Sequence, residues 1–144
     1  MTMTSESLAR VVRTVWSTQL GLEPEPDDSA RIVPPTGLLT AVRFRGGFEG
    51  TLTQCCSTRL SELAAATAFP APARAIGPGE AHDTLAELAH VIAGNLKLLL
   101  PAPCEVSQPV AGTDPEPPGP VVAEAGFRID GEPLTVRLAR AGGR

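Results

Sequence analysis

Apolar positions in the first twenty residues recur at helical intervals, with Leu8, Val11, Val12, Val15 and Trp16 along one side. Ser5 is placed to cap this helix and Gly21 to end it. The segment EPEPDDSARIVPP that follows is acidic and broken by prolines, which predicts a linker. The period then changes to two. Val42 and Phe44 alternate with Arg43 and Arg45, Leu52 falls between Thr51 and Thr53, and Gly46-Gly47 lies between the runs, which predicts a β-hairpin. STRLSELAAATAF is a second helix, capped by Ser57 or Thr58, with Leu60, Leu63, Ala64 and Thr67 along one side. PAPARAIGPGE breaks the chain again.

A third helix, DTLAELAHVIAGNLKLLL, is predicted from Asp83 to Leu100, stopped by Pro101 and Pro103. At about 100° per residue, Leu85, Leu88, Ile92, Leu96 and Leu99 form one apolar stripe with Ala89 inside it. That stripe must be core, since burying each Leu or Ile is worth about 1.5–3 kcal/mol. Opposite it runs a narrow polar strip of Asp83, Glu87, His90 and Gly94. A glycine inside a helix costs about 1 kcal/mol relative to alanine. Gly94 therefore calls for a close approach by another backbone, either a neighbouring helix of the domain or a docking partner. Asn95, on the flank, is expected to hydrogen-bond to a neighbouring segment.

Beyond this helix, Cys104 to Val110 suits a strand and GTDPEPPGP a loop. Asp130-Gly131 turns a second hairpin between the alternating runs Phe127/Ile129 and Leu134/Val136/Leu138. AGGR, residues 141–144, reads as a frayed tail. Strands and helices are segregated rather than strictly alternating, which predicts an α+β fold and not a parallel α/β one.

Length and composition narrow the function. A chain of 144 residues suits one domain, 1–144, with a helix and proline-rich linker at 1–37. Its net charge of −4 and its lack of a basic tract argue against nucleic acid or an anionic membrane as partner. One Trp, four Phe and no Tyr leave little for a base-stacking platform. No secretory signal and no membrane-spanning run are visible, so a cytoplasmic location is expected. Cys55, Cys56 and Cys104 lack zinc-site spacing and are expected as inert buried thiols.

By spacing alone, Glu87 and His90 are a solvated pair at i, i+3. The same pair can position a water. A metal would need more ligands, and His82, the only other histidine, is more than two turns away, so no metal is expected.

The third helix resembles the signature helix of the CheX family of chemotaxis phosphatases, kin to CheC and the FliY type. Asp83, Glu87, Gly94 and Asn95 match its pattern, and His90 stands where the family has its catalytic Asn. FRGGFEGTLTQCCSTRLSELAAATAF and GFRIDGEPLTVRLA are similar to the family's earlier hairpin and helix and to its final strands. The resemblance implies two long helices on a broad, mainly antiparallel sheet, to which this chain adds its amino-terminal helix. It also implies a pseudo-repeat, in which Thr58, Glu62 and Ala65 are a lost copy of the motif. The family's reaction is hydrolysis of the aspartyl phosphate on a response-regulator receiver domain. Glu87 would pair with the receiver's lysine, the residue at position 90 would hold a water in line with phosphorus, and Asp83, Gly94 and Asn95 would belong to the docking surface. The receiver supplies its own Mg2+, so no cofactor is expected in this chain, and relatives of this type can pair into homodimers. An imidazole carries one donor and one acceptor on opposite sides of its ring, where Asn carries both on one amide. The alternative is therefore a catalytically inactive module that binds receivers or dimerises.

Overall fold

The computed structural model describes residues 3–31, 37–69, 77–112 and 119–141. Three helices lie on a seven-stranded, wholly antiparallel sheet. The helices are α1 (Ser5–Leu20), α2 (Thr58–Ala68) and α3 (Pro78–Leu96). The strands are β1 (Glu25–Pro26), β2 (Leu38–Gly46), β3 (Gly50–Cys56), β4 (Cys104–Val106), β5 (Val110–Gly112), β6 (Val121–Ile129) and β7 (Glu132–Arg140). Their order is β1-β6-β7-β3-β2, with β4 and β5 paired in turn along the outer edge of β2. This is the α+β architecture expected from the segregated pattern.

Both hairpins form where the glycines predict them. Asp130 and Gly131 both take positive φ, 54° and 80°, as a two-residue turn matched to strand twist requires. Gly46 and Gly47 have a further reason to lack side chains. A Cβ on Gly46 would stand 2.3 Å from the Pro103 carbonyl oxygen, and one on Gly47 would stand 2.2 Å from that of Pro101. The segment leaving the third helix thus presses on this turn, and the Gly47 N–H donates to the Pro103 carbonyl at 2.7 Å.

Several boundaries differ from the sequence expectation. Thr4, not Ser5, caps α1: its Oγ1 accepts from the Ser7 N–H at 3.0 Å. The Ser5 hydroxyl instead accepts from the Glu124 N–H and ties α1 to β6. The acidic linker is not wholly irregular, because Glu25–Pro26 joins the sheet beside β6 and Asp27 pairs with Arg128 at 2.8 Å. The expected strand from Cys104 to Val110 is split in two. Ser107 interrupts it, accepting from the Arg43 N–H through its hydroxyl, and Pro109 has no N–H to give to a ladder. The third helix starts five residues earlier than expected, at Pro78, with Glu80 reaching back to accept the Gly77 N–H at 2.9 Å. It ends at Leu96 and continues as a 3-10 turn over Lys97–Leu99. Thr67, expected on the inner side of α2, is exposed and turns its hydroxyl back to the Leu63 carbonyl, while Ser61 and Ala65 are buried. The residues expected as loops at 70–76 and 113–118, and 142–144 of the tail, lie outside the described residues.

The core lies between the helices and one face of the sheet. Leu8, Val12, Val15 and Trp16 of α1 meet Leu85, Leu88, Ile92 and Leu96 of α3 and Val42, Phe44, Leu52, Phe127, Val136 and Leu138 of the sheet. Cys55, Cys56 and Cys104 are buried free thiols, and burial pushes Cys55 up to about 11 and Cys56 higher still. Among the buried polar side chains, Thr40, Gln54, Ser61, Thr84 and Thr135, Gln54 is the largest. Gln54 has no solvent exposure; its Oε1 accepts from Trp16 Nε1 at 3.1 Å and its Nε2 donates to the Leu85 carbonyl at 3.2 Å. Replacing Gln54 by Met would leave the Trp16 N–H buried without an acceptor. The expected loss is about 1–3 kcal/mol of unfolding free energy in urea titration, at an unchanged m-value.

Candidate functional site

Helix α3 packs against α1, α2, β2 and β3. This leaves one face open. Its buried side carries Ala81, Thr84, Leu85, Leu88, Ala89, Ile92, Ala93 and Leu96, so the predicted stripe is core as far as Leu96. Leu99 is only half-buried and Leu100 is buried instead, where the α-helix gives way to a 3-10 turn over Lys97–Leu99 and then to extended backbone at Leu100.

The structure brings Asp83, Glu87, Gly94 and Asn95 to that open face, all exposed. Each candidate stands differently from its neighbours. Glu87 has no hydrogen bond or ion pair among the described residues, so its carboxylate is available to an incoming cation. His90, one turn further on, is half-buried. Its Nδ1 is sealed from solvent and has no hydrogen-bond partner, leaving Nε2 as the nitrogen turned toward the surface. A ring with one reachable nitrogen either donates or accepts at that point, whereas an Asn amide does both at once.

Asn95 departs from expectation. Its amide does not reach a neighbouring segment; Nδ2 donates to the Val91 carbonyl of its own helix at 2.9 Å. Gly94 also has no explanation among the described residues. A Cβ built there would meet none of them within 4 Å, so no described helix approaches it. On α2, Glu62 is exposed and Ala65 is fully buried. The would-be second motif therefore offers a carboxylate with no polar group in the place that His90 holds on α3. Among the described residues, no three His, Cys, Asp or Glu side chains gather as a metal site, and no helix is long and apolar enough to cross a membrane.

One surface residue was not foreseen. Leu98 lies eleven positions after Glu87, about 60° from it around the helix axis once the 3-10 steps of about 120° are counted, and is 81% exposed. The angle was available in the sequence; the run of three leucines concealed which of them faces out.

No protein-family model matches the sequence, and no curated protein does. Solved structures do match it. The CheX–CheY–BeF3–Mg2+ complex from Borrelia burgdorferi contains a chain that superposes with a TM-score of 0.74 at 17% identity, covering 95% of this chain and 97% of that one. The chain has a CheX-like fold. CheX from Vibrio vulnificus superposes with a TM-score of 0.73 at 12% identity, over 92% of each chain. A CheC-like superfamily protein from Shewanella sp. PV-4 gives 0.74 at 13% identity, covering 94% of this chain and 95% of that one. At these identities the likeness concerns the fold, and it takes in the α1 region as well as the stretch from Leu38 onward.

Because Gly94 has open space around it, Gly94→Ala should raise stability by about 0.5–1 kcal/mol through helix propensity alone, read as a higher melting temperature. A lower one would mean that some part of the chain does approach this position.

Proposed function

We propose that this CheX-like domain docks on the phosphorylated receiver domain of a response regulator through the open face of α3, and hydrolyses the aspartyl phosphate there by positioning a water. The observation that carries this reading is Glu87, an exposed carboxylate without a partner among the described residues, at the middle of the α3 face that those residues leave uncovered. Support comes also from the matching fold of a chain solved with CheY, BeF3 and Mg2+, beryllofluoride being a mimic of a phosphoryl group.

The roles follow from the chemistry. An acyl phosphate is already activated, so the docking protein needs chiefly to hold a nucleophile in line. Glu87 pairs with a receiver lysine and sets the orientation, with Asp83 adding negative charge one turn away. The Mg2+ belongs to the receiver. His90 Nε2, the outward ring nitrogen, is the polar atom beside Glu87 that can hold or deprotonate a water. Asn95 is committed to its own helix and serves in docking only through its exposed surface.

A second reading, binding without turnover, is favoured by the sealed Nδ1. With that nitrogen buried, the ring offers one polar atom to a water that in-line attack needs both oriented and deprotonated.

The test uses receivers charged with acetyl phosphate. The wild-type chain should shorten the phosphoryl lifetime, and His90→Asn should shorten it further by restoring donor and acceptor together. Glu87→Ala should weaken binding of the activated receiver about tenfold, or roughly 1.4 kcal/mol. Unchanged decay with both wild type and His90→Asn would remove hydrolysis and leave binding. Equal affinity for wild type and Glu87→Arg would remove the docking role of Glu87.

A further inference from the structure

The two nitrogens of His90 stand in different surroundings. Nδ1 is sealed from solvent and has no hydrogen-bond partner among the described residues, while Nε2 is turned toward the surface. Thr40 Oγ1 is also buried without a partner, but a hydroxyl proton rotates freely, so its burial selects no state. An imidazole has to choose. In the neutral ring one nitrogen carries the proton and the other a lone pair. Two observations choose the same way. Buried N–H groups without an acceptor are the rarer kind of orphan, which puts the lone pair at Nδ1 and the proton at Nε2. The charges along α3 agree. Asp83 lies seven residues before His90 and Lys97 seven after it, so each offsets the other at a rise of about 10 Å. Glu87, three residues before His90 at a rise of about 4.5 Å, is left uncompensated. Its carboxylate makes the potential at the outward edge of the ring negative, which also draws the proton to Nε2.

We propose that His90 carries its proton on Nε2, with Nδ1 bare, and acts in docking as a hydrogen-bond donor to a phosphoryl oxygen of the partner. This role rests on the receiver-docking reading above and narrows it. The ring offers a water no acceptor, so it does not take the water's proton. A phosphoryl group suits the donor, because it presents three strong acceptor oxygens and its charge strengthens the bond. Glu87 does not compete for it. Among the described residues the carboxylate makes no hydrogen bond to the ring, and in the docked state it pairs with the receiver's lysine. The two residues thus divide the recognition. Glu87 serves any receiver that presents the lysine, and His90 tells the phosphorylated form from the unphosphorylated one. The gain expected from His90→Asn has the same origin, since an amide returns the acceptor that the sealed ring withholds.

The first measurement needs no partner. Long-range nitrogen–proton correlation spectra of the isotopically labelled full chain, at about pH 8 where histidine rings are ordinarily neutral, separate the tautomers by the shifts of the two ring nitrogens. His82 is exposed and serves as the internal reference, assigned by His82→Gln. His90 should show a protonated Nε2 and a bare Nδ1, and His82 the averaged pair of a free ring. A protonated Nδ1 at His90, or the same averaging as at His82, would overturn the tautomer. The second measurement is calorimetric binding of receiver domains with and without beryllofluoride. His90→Phe keeps a ring and removes the donor. It should lower the preference for the activated receiver about tenfold or more and leave affinity for the unactivated one as in wild type. Glu87→Ala should weaken both alike. His90→Leu removes the donor with less bulk and repeats the measurement if His90→Phe does not fold. If the donor-free variant prefers the activated receiver as strongly as wild type, the phosphoryl contact is wrong while the docking reading stands. If wild type binds neither form, the docking reading falls and the phosphoryl contact with it, and the spectra still decide the tautomer on their own.

Discussion

Gln54 lies on the middle strand of the sheet with no exposure to solvent, and its amide accepts from Trp16 of α1 while donating to the Leu85 carbonyl of α3. Three elements of the molecule, α1, α3 and β3, meet at that side chain. A dry interior makes each of these bonds costly to break singly, because the partner left behind has no water to turn to. Leu85 is only two residues from Glu87. Rotation of α3 about its own axis is therefore pinned close to the site, and by directional bonds rather than by greasy packing alone. A slip of one residue would turn the helix by about 100° and carry Glu87 off the open face. The leucine stripe says which side of α3 goes in; Gln54 adds an angular lock.

The same requirement accounts for the crowding around α3. A helix with one narrow strip left open is held on its remaining sides. Here α1, α2 and the sheet do that. The amino-terminal segment contributes twice, first through α1 and then through Glu25–Pro26, which extends the sheet beyond β6 and is fastened by the Asp27–Arg128 pair. At the other edge, the chain leaving α3 lies on Gly46 and Gly47, so the turn of the first hairpin and the end of α3 are one contact region.

Much of this was legible in the sequence, because the signals were local. The two hairpins were announced by glycine pairs or Asp-Gly within alternating runs, and α3 by a leucine period that could be buried only one way. The polar strip of Asp83 and Glu87 followed from the same period. What was not legible depended on partners distant in the chain. Ser5 looks like a cap in isolation; it is drawn to β6 because Thr4 already fills that role. A two-residue strand carries no period of its own, so β1 is visible only through β6. Asn95 offered an amide with no indication that its nearest acceptor was the carbonyl of Val91, four residues back. The depth of His90 depended on how closely the surrounding chain packs around one edge of its ring, which no spacing rule reports. Leu98 was hidden by its neighbours, since in a run of three leucines only the helical angle of each tells which one faces outward.

The proposed docking and hydrolysis would make unequal demands on such a surface. Docking asks for exposure, complementary charge and room for the partner, and under the proposal each would come from a separate residue: Glu87, Asp83 and Gly94. Each of these is supported by the backbone position alone, because an exposed helix face tolerates the residue in any rotamer. Hydrolysis asks for more, a polar atom pair held within a few tenths of an ångström of a reacting water. At position 90 the chain puts a ring whose rotation is limited by its own burial. That restriction works in two directions. It removes one nitrogen from reach, which narrows the chemistry, and it also fixes the other nitrogen in place, which is what positioning a water requires. A side chain with free rotation would keep both polar atoms and lose the placement. Under the proposal, the half-buried imidazole is thus the point at which packing and chemistry would constrain each other most directly.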